Sequence, residues 1–321
     1  MIAVLTGGTG GAKFVDGLHQ IIAPEELTTI VNTGDDHSWW GLRISPDVDS
    51  ITYVLAGMLS PERGWGVRRD TFHCLQTMKK LGEPTWFSVG DRDLATHLVR
   101  TKLLSEGRSL SEVTATIGAR LGVRSPILPM SDQPVETRIE TPGGELSFEE
   151  YFVERLYRDP VRSVHFAGAD QAQPSPGVVE AIAGARAVLV APSNPVTSIG
   201  PILAVPGIRQ ALIRTRAKVV AISPIIGQAA VSGPAANLMA AQGWEVSIAG
   251  IVEAYRDFLD VLVVDRSDRE RALALSGATC TMHATNIMMR SPEDRARIAR
   301  AALAIACPER AAATVGDEVV A

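Results

Sequence analysis

Paired cysteines are missing from this 321-residue chain: Cys74, Cys280 and Cys307 stand far apart, with no C-x-x-C step among them. Their spacing excludes a disulfide framework and a structural zinc site, and it fits a reducing compartment in which the thiols pack in the interior. A basic excess is missing too, since 31 Lys and Arg against 36 Asp and Glu leave a formal net charge of −5. Tracking a polynucleotide backbone needs clustered Lys and Arg, so nucleic acid is not an expected partner. A small anionic ligand stays open, because one cradle and one or two basic side chains suffice for it. No uninterrupted apolar run is long enough to span a bilayer, and no basic stretch precedes the opening apolar strand. No membrane partner and a cytoplasmic location are therefore expected. What is present is 46% hydrophobic residues, enough to bury a full core without staples.

The most informative stretch is the opening one, Met1-Ile-Ala-Val-Leu-Thr-Gly-Gly-Thr-Gly-Gly-Ala-Lys-Phe14. An apolar strand runs straight into a glycine-rich turn and then a helix. Gly7, Gly8, Gly10 and Gly11 lack a Cβ, so the backbone can approach an anion closely while free N–H groups at the helix start point toward it. Lys13 stands where a dinucleotide fingerprint would place its third glycine, and Phe14 follows it where a P-loop needs Ser or Thr. What remains is a phosphate- or nucleotide-binding turn of a doubly wound α/β fold, with a plain tight turn as its alternative.

Along the chain, β-rich runs alternate with helical patterns: Ile2–Leu5, Leu27–Val31, Val164–Phe166, Ala187–Ala191, Lys218–Ile222 and Val261–Val264. Such alternation predicts βαβ units on a mainly parallel, Rossmann-like sheet. The pattern turns mostly helical at about 50–130, with helices expected over Asp70–Lys80 and Asp91–Leu104 and Ser109 as the N-cap of a third. This reads as an insertion over the carboxyl edge of the sheet. Thr137–Thr141 and Glu145–Phe148, joined by Pro142-Gly-Gly144, read as a hairpin. One domain over 1–308 and a frayed tail over 309–321 complete the expected organisation.

Asp35, Asp36, Asp47 and Asp49 lie in Val31-Asn-Thr-Gly-Asp-Asp-His37 and Ser45-Pro-Asp-Val-Asp-Ser50, at the carboxyl end of the second strand, where open α/β sheets bind ligands. Crowded hard oxygen ligands suit Mg²⁺ together with substrate phosphates. The plainer alternative is that Asp47 and Asp49 only start a helix and that Asp35 or Asp36 makes an Asx turn. In Gly90-Asp-Arg-Asp-Leu-Ala-Thr-His97, Arg92 could clamp a phosphate and Asp91 or His97 position a hydroxyl; equally, Asp91 is an N-cap on a solvated helix. His37 and His73 have no ligand-spaced partners and read as packing or loop residues. Ala191-Pro-Ser-Asn-Pro-Val-Thr-Ser-Ile-Gly-Pro201 offers the neutral donors of Ser193, Asn194, Thr197 and Ser198 on a rigid loop, and Ser223-Pro-Ile-Ile-Gly227 ends the next strand.

Taken in order, Gly7–Gly11, Asn32–Asp36, Ser45–Asp49, Gly90–His97, Ala191–Pro195 with Ser198–Pro201, and Ser223–Gly227 resemble the 2-phospho-L-lactate transferase family of deazaflavin coenzyme F-420 biosynthesis. The resemblance implies transfer of a phospho-acyl unit (phospholactyl, phosphoenolpyruvyl or phosphoglyceryl) from a guanosine diphosphate-activated donor. The acceptor it implies is the terminal ribityl hydroxyl of 7,8-didemethyl-8-hydroxy-5-deazariboflavin, with GMP as leaving group, Mg²⁺ as cofactor and a homodimer as the assembly. It puts the guanosine diphosphate on Gly8, Thr9, Gly10, Gly11, Lys13, Ser193, Asn194 and Ser198, and the deazaflavin beside Asp49, Ser88, Asp91 and Arg92. Mg²⁺ is expected on Asp47 and Asp49 with Asp35 or Asp36, and Asp49 is the expected proton acceptor in a direct in-line displacement. Trp39, Trp40, Trp65 and Trp86 could wall a tricyclic ring or pack in the core. A NAD-dependent dehydrogenase is disfavoured by Lys13 and by Asn32, which stands where an acidic ribose ligand belongs. A YvcK-like nucleotide-sugar-binding regulator without catalysis is the alternative function.

Overall fold

A seven-stranded sheet, parallel at every pairing, runs through the chain in the computed structural model, which describes residues 1–277 and 279–309. Its order is Thr281–Thr285, Val261–Asp265, Lys218–Ile222, Ala187–Val190, β1 (Ile2–Thr6), β2 (Leu27–Val31) and Ile127–Pro129. β1 is central, with Ile2 in register with Leu27 on one side and Ala187 on the other. Every residue of β1 and β2 is buried.

The period-2 alternation of a strand explains how one apolar run serves two cores. Ala3 and Leu5 pack with Val188, Val190, Ile199 and Ile251 on one face of the sheet. Ile2 and Val4 pack with Phe14, Leu18, Ile298 and Leu303 on the other. The second face carries α1 (Gly8–His19), α2 (Pro46–Leu55) and the helix Pro292–Ala306. The first is covered by Val178–Ala183, Ile208–Arg214, Ala235–Ala241 and Ile248–Tyr255. No helix among the described residues is long and apolar enough to cross a membrane.

Five of the expected strands lie in this sheet, and Val164–Phe166 does not. It belongs to Ser163–Ala167, which pairs antiparallel with Glu136–Thr141, itself paired with Gly144–Ser147 in the predicted hairpin. His165 is exposed while Val164 is buried, the one-sided pattern of an antiparallel strand rather than of a doubly covered parallel one. Of the two edge strands, Ile127–Pro129 is only three residues long and ends in proline, and Thr281–Thr285 is mostly polar, so neither has the pattern of the inner strands.

Between β2 and Ile127–Pro129 the chain forms a short hairpin (His37–Trp39 with Leu42–Ile44), then α2, α3 (His73–Lys80), α4 (Asp91–Ser105) and α5 (Leu110–Arg120). Ser109 caps α5 as expected, in a capping box with Glu112. The expected helix from Asp70 starts only at His73, because Asp70 turns its carboxylate to the backbone of α4. Residues 310–321, where the tail was expected, lie outside the described residues.

Candidate functional site

The sheet order reverses between β1 and Ala187–Val190, and the loops leaving these two strands diverge to open a crevice, the usual ligand position in such sheets. Ser193 stitches the two loops together: its hydroxyl donates to the Gly7 carbonyl at 2.7 Å and accepts from the Gly7 N–H at 3.3 Å. The Gly10 backbone lies so close that a Cβ there would sit 2.6 Å from the Pro192 carbonyl oxygen. Asn194 shapes its own loop, accepting from Val196 N–H at 3.0 Å and Thr197 N–H at 3.4 Å. Ser198 comes up against Gly7 and Gly8.

Within the glycine turn the expected cradle is narrower than four residues. The Gly8 N–H donates to Asp47 Oδ1 at 2.6 Å and is therefore taken. The N–H groups of Thr9 and Gly10, which the first turn of α1 cannot pair internally, remain for a ligand. Lys13 lies three and four residues further on, hence on the same helix face, and it has no ion-pair partner among the described residues.

Asn32, at the end of β2, organises the acids. Its Nδ2 donates to Asp35 Oδ2 at 3.0 Å and to Asp47 Oδ2 at 2.9 Å. Asp36 Oδ2 accepts the Ser45 hydroxyl at 2.6 Å, whereas its Oδ1 is buried with no hydrogen-bond partner among the described residues. Glu149, just past the Gly144–Ser147 strand, is buried close enough to be repelled by Asp47 and Asp36. Burial pushes Asp36 up to about 7, against relief from Ser45, Arg100 and Arg43. Burial and then those two acids push Glu149 to about 8. Asp35 stands well above the carboxylate range through burial and the charges of Asp47, Glu149 and Asp36, and Asp47 is raised by burial. Buried together, these groups disfavour one another's charge, and a nearby cation would relieve it.

Asp49 is not among them. Residues two apart on a helix point to different faces, and Asp49 turns away from Asp47 to accept from both Arg100 Nη1, at 3.0 Å, and Arg100 Nη2. His97 Nδ1 lies 3.5 Å from the same carboxylate and His97 Nε2 3.4 Å from Asp93, which also accepts the Tyr53 hydroxyl at 2.7 Å. Arg100, only 2% exposed, supplies the positive charge of this group. Asp47 and Asp49 thus face different neighbours, Asp47 joining Asp35 through Asn32 and Asp49 joining Arg100; among the described residues the three side chains whose ligand atoms converge within 4.8 Å are Asp49, Asp93 and His97.

A cavity of about 720 Å³ adjoins the acids, lined by Thr33, Asp36, His37, Trp39, Arg43 and Trp86 among others. Trp39 and Trp86 meet edge to face with centroids 4.6 Å apart. His37 donates its Nδ1–H to the Asp35 carbonyl, 3.2 Å away, and burial lowers it to about 4, so the ring is neutral. Asp49, Ser88, Asp91 and Arg92 do not line this cavity. Asp91 instead accepts from the N–H groups of His73 and Cys74 at 3.0 and 2.9 Å, and Arg92 is exposed against the Arg68 carbonyl at 3.4 Å.

Residues 2–296 match the family described as 2-phospho-L-lactate transferase CofD. The chain belongs to this family. It is 43% identical over 296 residues to the 2-phospho-L-lactate transferase of Methanosarcina mazei, covering 92% of this chain and 97% of that protein. It is also 43% identical over 312 residues to the phosphoenolpyruvate transferase of Kitasatospora aureofaciens, covering 95% and 97%. In fold it is similar to a UPF0052 family protein of Bacillus halodurans, with a TM-score of 0.66 at 19% identity over 94% of this chain and 98% of that one. A transferase of this kind must hold two substrates against each other. Here Asp36 belongs both to the acid cluster and to the cavity wall.

Sequence reasoning missed Glu149, Arg100 and the organising role of Asn32. Glu149 has no spacing relation to the aspartate loop, and only the fold brings it there. Arg100 had a faint signal, lying three residues beyond His97 on one helix. Asn32 was read for what it is not, an acidic ribose ligand.

Proposed function

We propose that this transferase moves a phospho-acyl unit from a guanosine diphosphate-activated donor to the ribityl hydroxyl of 7,8-didemethyl-8-hydroxy-5-deazariboflavin, releasing GMP. The observation that carries the reading is the placement of four buried carboxylates between an open helix N-terminus and a cavity walled by two indoles. The N–H groups of Thr9 and Gly10, with Lys13, bind the diphosphate, as anions favour a helix start. Ser193 keeps the two loops of the crevice in register, and Ser198 closes it beside Gly8. Asp35 and Asp47, joined through Asn32, would hold a Mg²⁺ ion, which when bound would neutralise charge on the phosphates.

On the acceptor side, the paired Trp39 and Trp86 form one wall against the tricyclic ring and the ribityl chain reaches toward Asp36. Asp36 takes the hydroxyl proton: its Oδ1 is free of partners and its proton affinity lies near neutral pH. The new oxygen–phosphorus bond forms as the bond to the GMP oxygen breaks, in line, so aligning the two groups accounts for most of what the protein does. Asp49, held by Arg100, supports this wall rather than reacting.

The test is to incubate the purified protein with the deazaflavin, Mg²⁺ and each of the lactyl, enolpyruvyl and glyceryl donors. Mass-resolved product and stoichiometric GMP are expected with at least one. Tight guanosine diphosphate binding without transfer from any donor would favour a regulator instead.

A further inference from the structure

Two guanidinium groups line the cavity, and they differ in company. Arg138 is neutralised, with Glu136 at 2.7 Å and Glu145 at 3.8 Å. Arg43 has no carboxylate within ion-pair distance among the described residues; its one side-chain hydrogen bond is from Nη1 to the Ser38 hydroxyl at 3.5 Å. The position is nevertheless built. Arg43 lies opposite Ser38 in the His37–Trp39 and Leu42–Ile44 hairpin, and its N–H donates to Thr101 Oγ1 at 2.8 Å, which ties the strand to α4. The side chain is half-buried and near enough to Asp36 to be felt there as a charge.

The rest of the wall is rich in acid: Asp36, Asp132, Glu136 and Glu150 all contribute to it. An anionic group entering here meets repulsion everywhere except at Arg43. The diphosphate has its own partners at Thr9, Gly10 and Lys13. The other anionic group that a transferred 2-phospho-acid brings is a carboxylate on the carbon that bears the phosphate, a planar group matched by the guanidinium fork.

Resting on the transferase reading above, we propose that Arg43 binds the carboxylate of the transferred acid and so restricts the donor to carboxylate-bearing esters of guanosine diphosphate. Lactyl, enolpyruvyl and glyceryl units share that carboxylate, so Arg43 sets the class of the acid and leaves the choice within it to other contacts. Asp36 and Arg43 then receive the two reacting partners from the same side of the cavity.

Calorimetry with three probes tests this: guanosine diphosphate, its lactyl ester, and its isopropyl ester, which carries a methyl group where the lactyl ester has the carboxylate. The wild-type protein should prefer the lactyl over the isopropyl ester by about 10- to 100-fold, the range for hydrogen bonds to a charged group. Arg43→Gln should abolish that preference and leave guanosine diphosphate affinity unchanged, which also reports that the variant is folded. Arg43→Lys should retain part of it, since the charge stays and the fork is lost. A preference that survives in Arg43→Gln, or none in the wild type, overturns the assignment and leaves the transferase reading standing. Failure of the wild type to bind guanosine diphosphate at all would overturn that reading and the role of Arg43 with it.

Discussion

Asp70 and Asp91 cap each other's helices. Asp91, the first residue of α4, accepts the N–H groups of His73 and Cys74 at the start of α3, and Asp70, just before α3, accepts those of Arg92 and Asp93 at the start of α4. The exchange ties α3, a short helix with no buried residue, to the longer and partly buried α4. Asp91→Ala should therefore act on stability, lowering the urea midpoint, as loss of a cap does. Urea unfolding measures the change. A variant of unchanged stability with lost deazaflavin affinity would return Asp91 to the acceptor site.

The Asp49 and Arg100 pair is buried, so removing one partner strands the other. Arg100→Met and Asp49→Asn should each cost about 3–5 kcal/mol, and the double variant less than their sum. Chemical denaturation of the four proteins gives the coupling. Strict additivity would contradict the pairing.

The acid cluster should make stability depend on pH. Asp36 titrates near 7 and Glu149 near 8 in the folded protein, against ordinary values of 3.8 and 4.5. The unfolded chain sheds these protons at lower pH while the folded chain keeps them, so stability without metal declines as pH rises across that window and levels off above it. With EDTA present, Tm should fall between about pH 5 and pH 8. Added Mg²⁺ should raise Tm more at the upper end than at the lower, because the ion replaces protons still held there. Asp36→Asn should flatten the decline. A Tm indifferent to Mg²⁺ at both ends would remove the ion from this cluster.

Gly10 approaches the Pro192 carbonyl too closely for any side chain. Gly10→Ala forces the two loops apart and should weaken guanosine diphosphate binding by at least about 1.4 kcal/mol, tenfold. Deazaflavin affinity, followed by quenching of indole fluorescence, should be unaffected. Unchanged nucleotide affinity in the folded variant would place the diphosphate elsewhere.

The parts of this molecule written locally were legible in the sequence. β1 and β2 announce themselves as aliphatic runs covered on both faces, the glycine turn by its composition, and α5 by Ser109 and Glu112 at capping distance. That the acids at 35, 36 and 47 lie near one another was legible from their nearness in the chain, at the end of β2 and the start of α2. The partner of Asp49 was not legible, because Arg100 stands 51 positions later. Glu149 lay hidden because its neighbours in space lie more than a hundred positions upstream, and burial, which gives it its chemistry, is a property of the fold. Asp91 was open between positioning a hydroxyl and capping its own helix, and the backbone it accepts from belongs to another helix, α3.

The double hydrogen bond between Ser193 and Gly7 makes residues 6–11 and 192–198 a single inheritable cassette. A chimaera that borrows one of these loops from a relative brings half of a clasp to a mismatched other half. Exchange of donor preference among transferases of this fold should succeed when both segments travel together, even though more than 180 positions separate them in the chain.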